Sequence, residues 1–144
     1  MIDSTSHPQI EQVLHTLINL LRKYGHDYHA TYVANLRSLW PAQPGTFQSQ
    51  ASGGDMWGGS GSVFDVTFVD ARRPPGEVQD DIRTFCVALA HLAAAMRRAG
   101  IGSQNADGVA AVTASWYPDA GIELPTTTSD YDHDHPAEDR RPNA

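Results

Sequence analysis

The strongest constraint on the fold is the spacing of apolar residues between positions 75 and 99. Val78, Ile82, Phe85, Cys86, Leu89, Leu92, Ala93 and Met96 recur mainly at intervals of three and four. That period gathers them on one face of an α-helix, whereas a strand would scatter them over both faces. Glu77, Asp80 and Asp81 stand near the start and Arg97 and Arg98 near the end, the arrangement that complements the helix macrodipole. Gly100 supplies the stop. The alanines between 88 and 95 let a neighbouring helix approach closely, so the spacing predicts a central helix in a small bundle.

Two shorter stripes precede it. Ile10, Val13, Leu14, Leu17, Ile18 and Leu21 predict a helix over 8–24, with Pro8 suited to its first turn and Gly25 to its end. Tyr32, Val33, Leu36 and Leu39 predict a second over 28–39, ended by Trp40-Pro41 because the residue before proline is pushed out of the α region. The fold class read from these stripes is mainly α, a small helical bundle of about three main helices. Beyond Gly100 the pattern is ambiguous. The run 109–117 fits a strand or a short helix; as a strand it would pair with 63–69 and add a small β-hairpin. Residues 126–144 are mostly Thr, Ser, Asp, His, Pro and Arg, too polar to offset the entropy of ordering. The reading is one domain over 1–125 and an acidic, disordered tail over 126–144.

Glycine occupies five of the nine positions from 53 to 61, and a compact apolar run follows: Val63, Phe64, Val66 and Phe68, interrupted by Asp65. Glycine is costly to order and serves where the backbone takes positive φ or approaches another group closely. A linker would not end in such a run, so the spacing predicts an ordered loop, with Val63, Phe64 and Phe68 reaching the core. A phosphate-binding reading fails on chemistry: the loop holds no Lys or Arg, no Lys-Ser or Lys-Thr pair follows it, and 41–52 is too rich in Pro, Gln and Ser to be the preceding strand.

The stretch Gly58-Gly59-Ser60-Gly61-Ser62-Val63-Phe64-Asp65-Val66 resembles the G-G-M-G-S-L-N-D-L motif of a family of small, uncharacterised, mainly helical domains. Ser60 stands where that pattern has Met, and Phe64 where it has Asn. In the family the motif follows two amphipathic helices and precedes a longer one, the order seen here, so the resemblance covers roughly residues 10–99. It implies an accessory role, and some such domains resemble immunity proteins encoded beside secreted toxins. The partner so implied is a cognate protein toxin.

The remaining features narrow the chemistry. Seven acidic and two basic residues in the last 26 carry most of the net charge of −7, and no basic face suited to nucleic acid is present. Residues 1–8 lack the basic and apolar regions of a secretory signal, and no apolar run is long enough to span a bilayer, so no membrane partner and a cytoplasmic location are expected. Cys86, the one cysteine, sits in the apolar pattern of the long helix and reads as an inert, buried thiol. His26 and His29 share a helical face, but no third ligand is set by the sequence, and the His- and Asp-rich stretch 130–135 lies in the tail. No metal or cofactor is expected.

No serine-histidine-aspartate order or zinc-protease motif occurs, and Asp80 and Asp81 point different ways on a helix. Asp65 is the one carboxylate placed to matter; its structural role would be to accept hydrogen bonds from loop N–H groups. The functional expectation is a non-catalytic protein-binding domain, an immunity (antitoxin) protein neutralising a toxin by direct binding. The alternative is a small enzyme or ligand-binding domain using the glycine loop and Asp65. The expected contacts are His26, Asp27, His29, Trp57, Gly58, Gly59, Ser60 and Asp65, which lie where polar or aromatic groups adjoin flexible backbone.

Overall fold

The computed structural model describes residues 6–58 and 61–125. The tail expectations for 126–144, including the stretch 130–135, lie outside them, as do Gly59 and Ser60. Six helices follow in order: α1 (Ser6–Lys23), α2 (Asp27–Leu39), α3 (Pro44–Ala51), α4 (Gly54–Trp57), α5 (Pro75–Arg98) and α6 (Gln104–Trp116). The protein is mainly helical. The three expected helices stand within two residues of their expected ends, and three more accompany them.

The main packings are α1 on α2, α1 on α5 and α5 on α6. Helix α5 therefore lies between two neighbours over its C-terminal half. From Ala88 to Met96 every residue except His91 is buried. Alanine at positions 88, 90 and 93–95 makes this sandwich feasible, because a methyl group costs little width on either side. Ile10, Leu14, Leu17, Ile18 and Leu21 of α1 bury completely or nearly so, with Val33 and Leu36 of α2.

The helix ends follow local chemistry. Gly25 and Gly100 both take φ of +80°. Behind Gly25, the His26 N–H donates to the Leu21 carbonyl at 2.8 Å; behind Gly100, the Ile101 N–H donates to the Met96 carbonyl at 2.9 Å. Both are Schellman caps, which satisfy carbonyls that the helix leaves over. Trp40 is extended, as its place before Pro41 requires.

Two points that the sequence left open are decided. The run 109–117 is no strand: 109–116 lies in α6 and Tyr117 caps its end, while its first turn is capped by Ser103 Oγ accepting from the Ala106 N–H at 3.1 Å. Ala106, Val109, Ala110 and Thr113 bury at helical spacing against α5, which decides between the two periods. No strand occurs among the described residues, so there is no hairpin, and 63–69 runs beside helices instead. The stretch 41–52 holds a helix where only loop composition was legible. Pro44 opens α3 at a position where its missing N–H costs nothing, and Phe47 and Ala51, one turn apart, bury completely.

The glycine-rich stretch begins with the single turn α4, which buries Met56 and Trp57. The chain then returns alongside it: the Val63 N–H donates to the Asp55 carbonyl at 2.9 Å and the Phe64 N–H to the Met56 carbonyl at 3.1 Å. Val63 and Phe68 are buried and Phe64 is half-buried. Each full burial of this kind contributes about 1.5–3 kcal/mol.

Candidate protein-interaction site

Segment 61–69 carries Asp65 and is contacted by His26 and His29, three of the eight expected residues. Gly61 has φ of +87°, a conformation that side-chain-bearing residues avoid. Its N–H donates to Asp65 Oδ2 at 3.1 Å, and the Asp65 N–H lies 3.2 Å from Ser62 Oγ and 3.1 Å from the Ser62 carbonyl. Asp65 thus closes the turn through its own side chain, the structural role its place in the sequence implied, while its carboxylate stays exposed.

Two histidines hold the segment from the α2 side. His29 Nε2 lies 2.9 Å from the Gly61 carbonyl, and His26 Nε2 lies 2.7 Å from the Thr67 carbonyl. A carbonyl oxygen only accepts, so each Nε2 carries the hydrogen. The interhelical turn 26–29 and the glycine loop, distant in sequence, are therefore joined at both ends of 61–67. Tyr28 is almost fully exposed beside them, its ring 5.3 Å from that of His29. Asp27 is exposed in the first turn of α2, where a negative charge suits the macrodipole. Gly58 is exposed, with an extended backbone that any residue adopts.

Trp57 is a correction. It was expected on the surface of the loop, but only 2% of it is exposed, and its indole N–H donates to the Ala51 carbonyl. The single turn of α4 rotates the indole inward, where its area stabilises the core and its polar edge is satisfied. It cannot present a face to a partner.

On the other side the segment borders an open cleft of about 650 Å³, lined by Phe64, Asp65, Val66, Thr67, Cys86 and Trp116 among others. Trp116, the last residue of α6, is 55% exposed and stacks on Phe64 with ring centroids 6.1 Å apart and planes within 13°. Cys86 lines the wall, and burial pushes its thiol pKa above the ordinary value, which disfavours the thiolate a nucleophile needs. Among the lining residues Asp65 is the one charged group. Sequence reasoning missed Phe64–Trp116 as a surface pair. The signal was Val112 and Trp116, one turn apart and both exposed, which becomes readable only once 104–116 is taken as helix.

Behind the segment, Phe68 stacks on Tyr24 at 4.3 Å and leans on Phe85 at 4.9 Å. A charged network closes over these rings. Lys23 Nζ lies 2.7 Å from Asp81 and 2.8 Å from Glu77, the Tyr24 hydroxyl donates to Asp81 at 2.6 Å, and Arg73 reaches Asp70 and Glu77 at 3.0 Å each. Burial opposes the charge on Asp81, but hydrogen bonds from Lys23 and Tyr24 outweigh it and hold the carboxyl below its ordinary range. The bond from Lys23 does the same for Glu77. This network pins the C-terminal end of the segment to α1 and α5.

A second depression, about 380 Å³, runs between α1 and α5 past Gln9, Gln12, Thr16, Arg83, Thr84 and His91. Burial first, and Arg98 second, lower the His91 pKa below its ordinary value. Arg83 is engaged elsewhere, over the Tyr117 ring at 5.1 Å and 3.3 Å from Asp119. No group of three or more His, Cys, Asp or Glu side chains is placed to hold a metal ion among the described residues, and none of the described helices is long and apolar enough to cross a membrane.

No family model, curated protein or solved structure matches this chain.

Proposed function

We propose that this chain is a protein-binding domain of the immunity type, which neutralises a cognate toxin by covering it. The observation that carries the reading is the solvent-facing Phe64–Trp116 pair at the mouth of a cleft whose rim holds Asp65. Tryptophan at the edge of a concave, largely apolar surface is the kind of group that dominates protein interfaces. The motif resemblance of 58–66 supplies the toxin as partner, and the net charge of −7 favours fast encounter with a basic one. The exposed Tyr28 and the His29 edge extend the contact surface on the opposite side of 61–67.

Co-expression with the product of the neighbouring gene tests this. The expected result is rescue of growth and a stoichiometric complex, with both lost on Trp116→Ala. A neighbour that is harmless and does not bind overturns the reading. So does substrate turnover by the purified chain that disappears in Asp65→Asn, which would support a small enzyme instead.

A further inference from the structure

Within the chain, guanidinium groups are twice placed between an aromatic ring and a carboxylate. Arg73 lies over Tyr24 at 5.6 Å while reaching Asp70 and Glu77 at 3.0 Å. Arg83 lies over Tyr117 at 5.1 Å and 3.3 Å from Asp119. The 61–67 cleft turns the same two components toward solvent: the Trp116 indole, more than half exposed, and the Asp65 carboxylate, with no cation among the lining residues. Its lining adds Val66 and Cys86, which suit the apolar stem of a long side chain.

We infer that this cleft receives an arginine side chain of the protein partner, its guanidinium stacked on Trp116 and paired with Asp65. The inference rests on the protein-binding reading above and names the chemistry of the partner's anchor. Guanidinium is favoured over ammonium because it is planar, stacks on indole and sheds water more readily. Gly61 N–H occupies one oxygen of Asp65 from the loop side, which orients the carboxylate without neutralising it.

The test uses the full chain, isotopically labelled, titrated with N-acetyl-arginine amide and separately with its neutral isostere N-acetyl-citrulline amide and with N-acetyl-leucine amide. Arginine amide is expected to shift the Trp116 indole N–H and the Asp65 amide saturably, leaving the indoles of Trp40 and Trp57, both buried, in place. Asp65→Asn keeps an acceptor for Gly61 and removes the charge. It and Trp116→Ala should each weaken arginine binding about five- to thirtyfold. Equal response to citrulline, tighter binding of the leucine probe, or no response at Trp116 overturns the inference. A toxin complex that is lost with Trp116→Ala but survives Asp65→Asn removes the arginine and leaves the immunity reading standing. Arginine binding in a chain whose neighbouring gene encodes no toxin does the reverse.

Discussion

Trp57 and Phe64 stand seven residues apart in the same glycine-rich stretch and have opposite fates. Trp57 faces inward with its N–H bonded to Ala51, and Phe64 lies half-buried under an exposed indole. Trp57→Ala should therefore cost about 3–5 kcal/mol, the range for emptying a buried aromatic site. Phe64→Ala should cost about 1–2 kcal/mol, because part of its ring contact is already with solvent-facing surface. Urea denaturation of the two variants checks the order; a larger loss for Phe64 would mean that the loop is anchored through it. Trp57→Phe isolates the polar edge: it keeps most of the packing and leaves the Ala51 carbonyl without its donor, a loss of about 1–3 kcal/mol.

At the scale of elements, Gly100 and Gly108 differ in backbone conformation and not in the space around them. A Cβ at Gly100 or at Gly108 would meet nothing within 4 Å, so space does not distinguish the two. Gly100 has φ of +80° in the cap of α5, and Gly108 sits inside α6. Gly100→Ala should destabilise by about 1–2 kcal/mol, since the left-handed region is strained for any side chain. Gly108→Ala should stabilise by about 0.5–1 kcal/mol through better helix propensity. Thermal unfolding should therefore shift in opposite directions for the same chemical change, and shifts of one sign would refute the cap. Gly102 differs from both: a Cβ there would meet the Arg97 backbone at 3.0 Å, so the exit from α5 must give slightly for any larger residue. Ser103→Ala removes the α6 cap and should cost about 1 kcal/mol.

For the whole molecule, the charged network over Tyr24 contributes a pH-dependent part of the stability. Asp70, Glu77 and Asp81 all ionise more readily folded than unfolded: Asp70 chiefly through the Arg72 N–H, Glu77 through Lys23, and Asp81 through Lys23 and Tyr24 against the opposing effect of burial. As pH falls, the unfolded chain takes up these protons first. Their stabilisation is complete above the ordinary carboxylate values of about 4 and is lost as pH drops through that range and below. Lys23 is the mirror case: hydrogen bonds to Asp81 and Glu77 raise its pKa above 10.5, so its contribution is complete below that value and fades as pH climbs past it. Asp81→Asn should lower the melting temperature at neutral pH and flatten its fall between about pH 5 and pH 2. An acid limb as steep as that of the parent chain would show that this network does not govern acid unfolding.

The sequence by itself determined the elements whose signals are local. The stripes of α1, α2 and α5, the glycine stops at 25 and 100 and the break at Trp40-Pro41 depend on residues within a turn or two, and each helix formed where its stripe ran. Asp65 was legible as a turn-former for the same reason, because its partner Gly61 is four residues away. Helices α3, α4 and α6 were not: α3 and α4 are too short for periodicity to outweigh composition, α6 is as long as α2 but dilutes its few large apolar residues with Ala, Gly, Ser and Thr, and each is stabilised by what it packs on. Phe47, Met56 and Trp57 in the core, and Val109 with Ala110 in the core cluster beside α5, are buried by packing partners that no window of sequence displays. The candidate site is of that second kind. His29 reaches Gly61 across 32 positions and His26 reaches Thr67 across 41, while Phe64 meets Trp116 only because α6 folds back over α5. Which side of a tryptophan meets water is decided by the packing of the helix that carries it, and so only the tertiary structure could turn Trp57 inward and leave Trp116 outside.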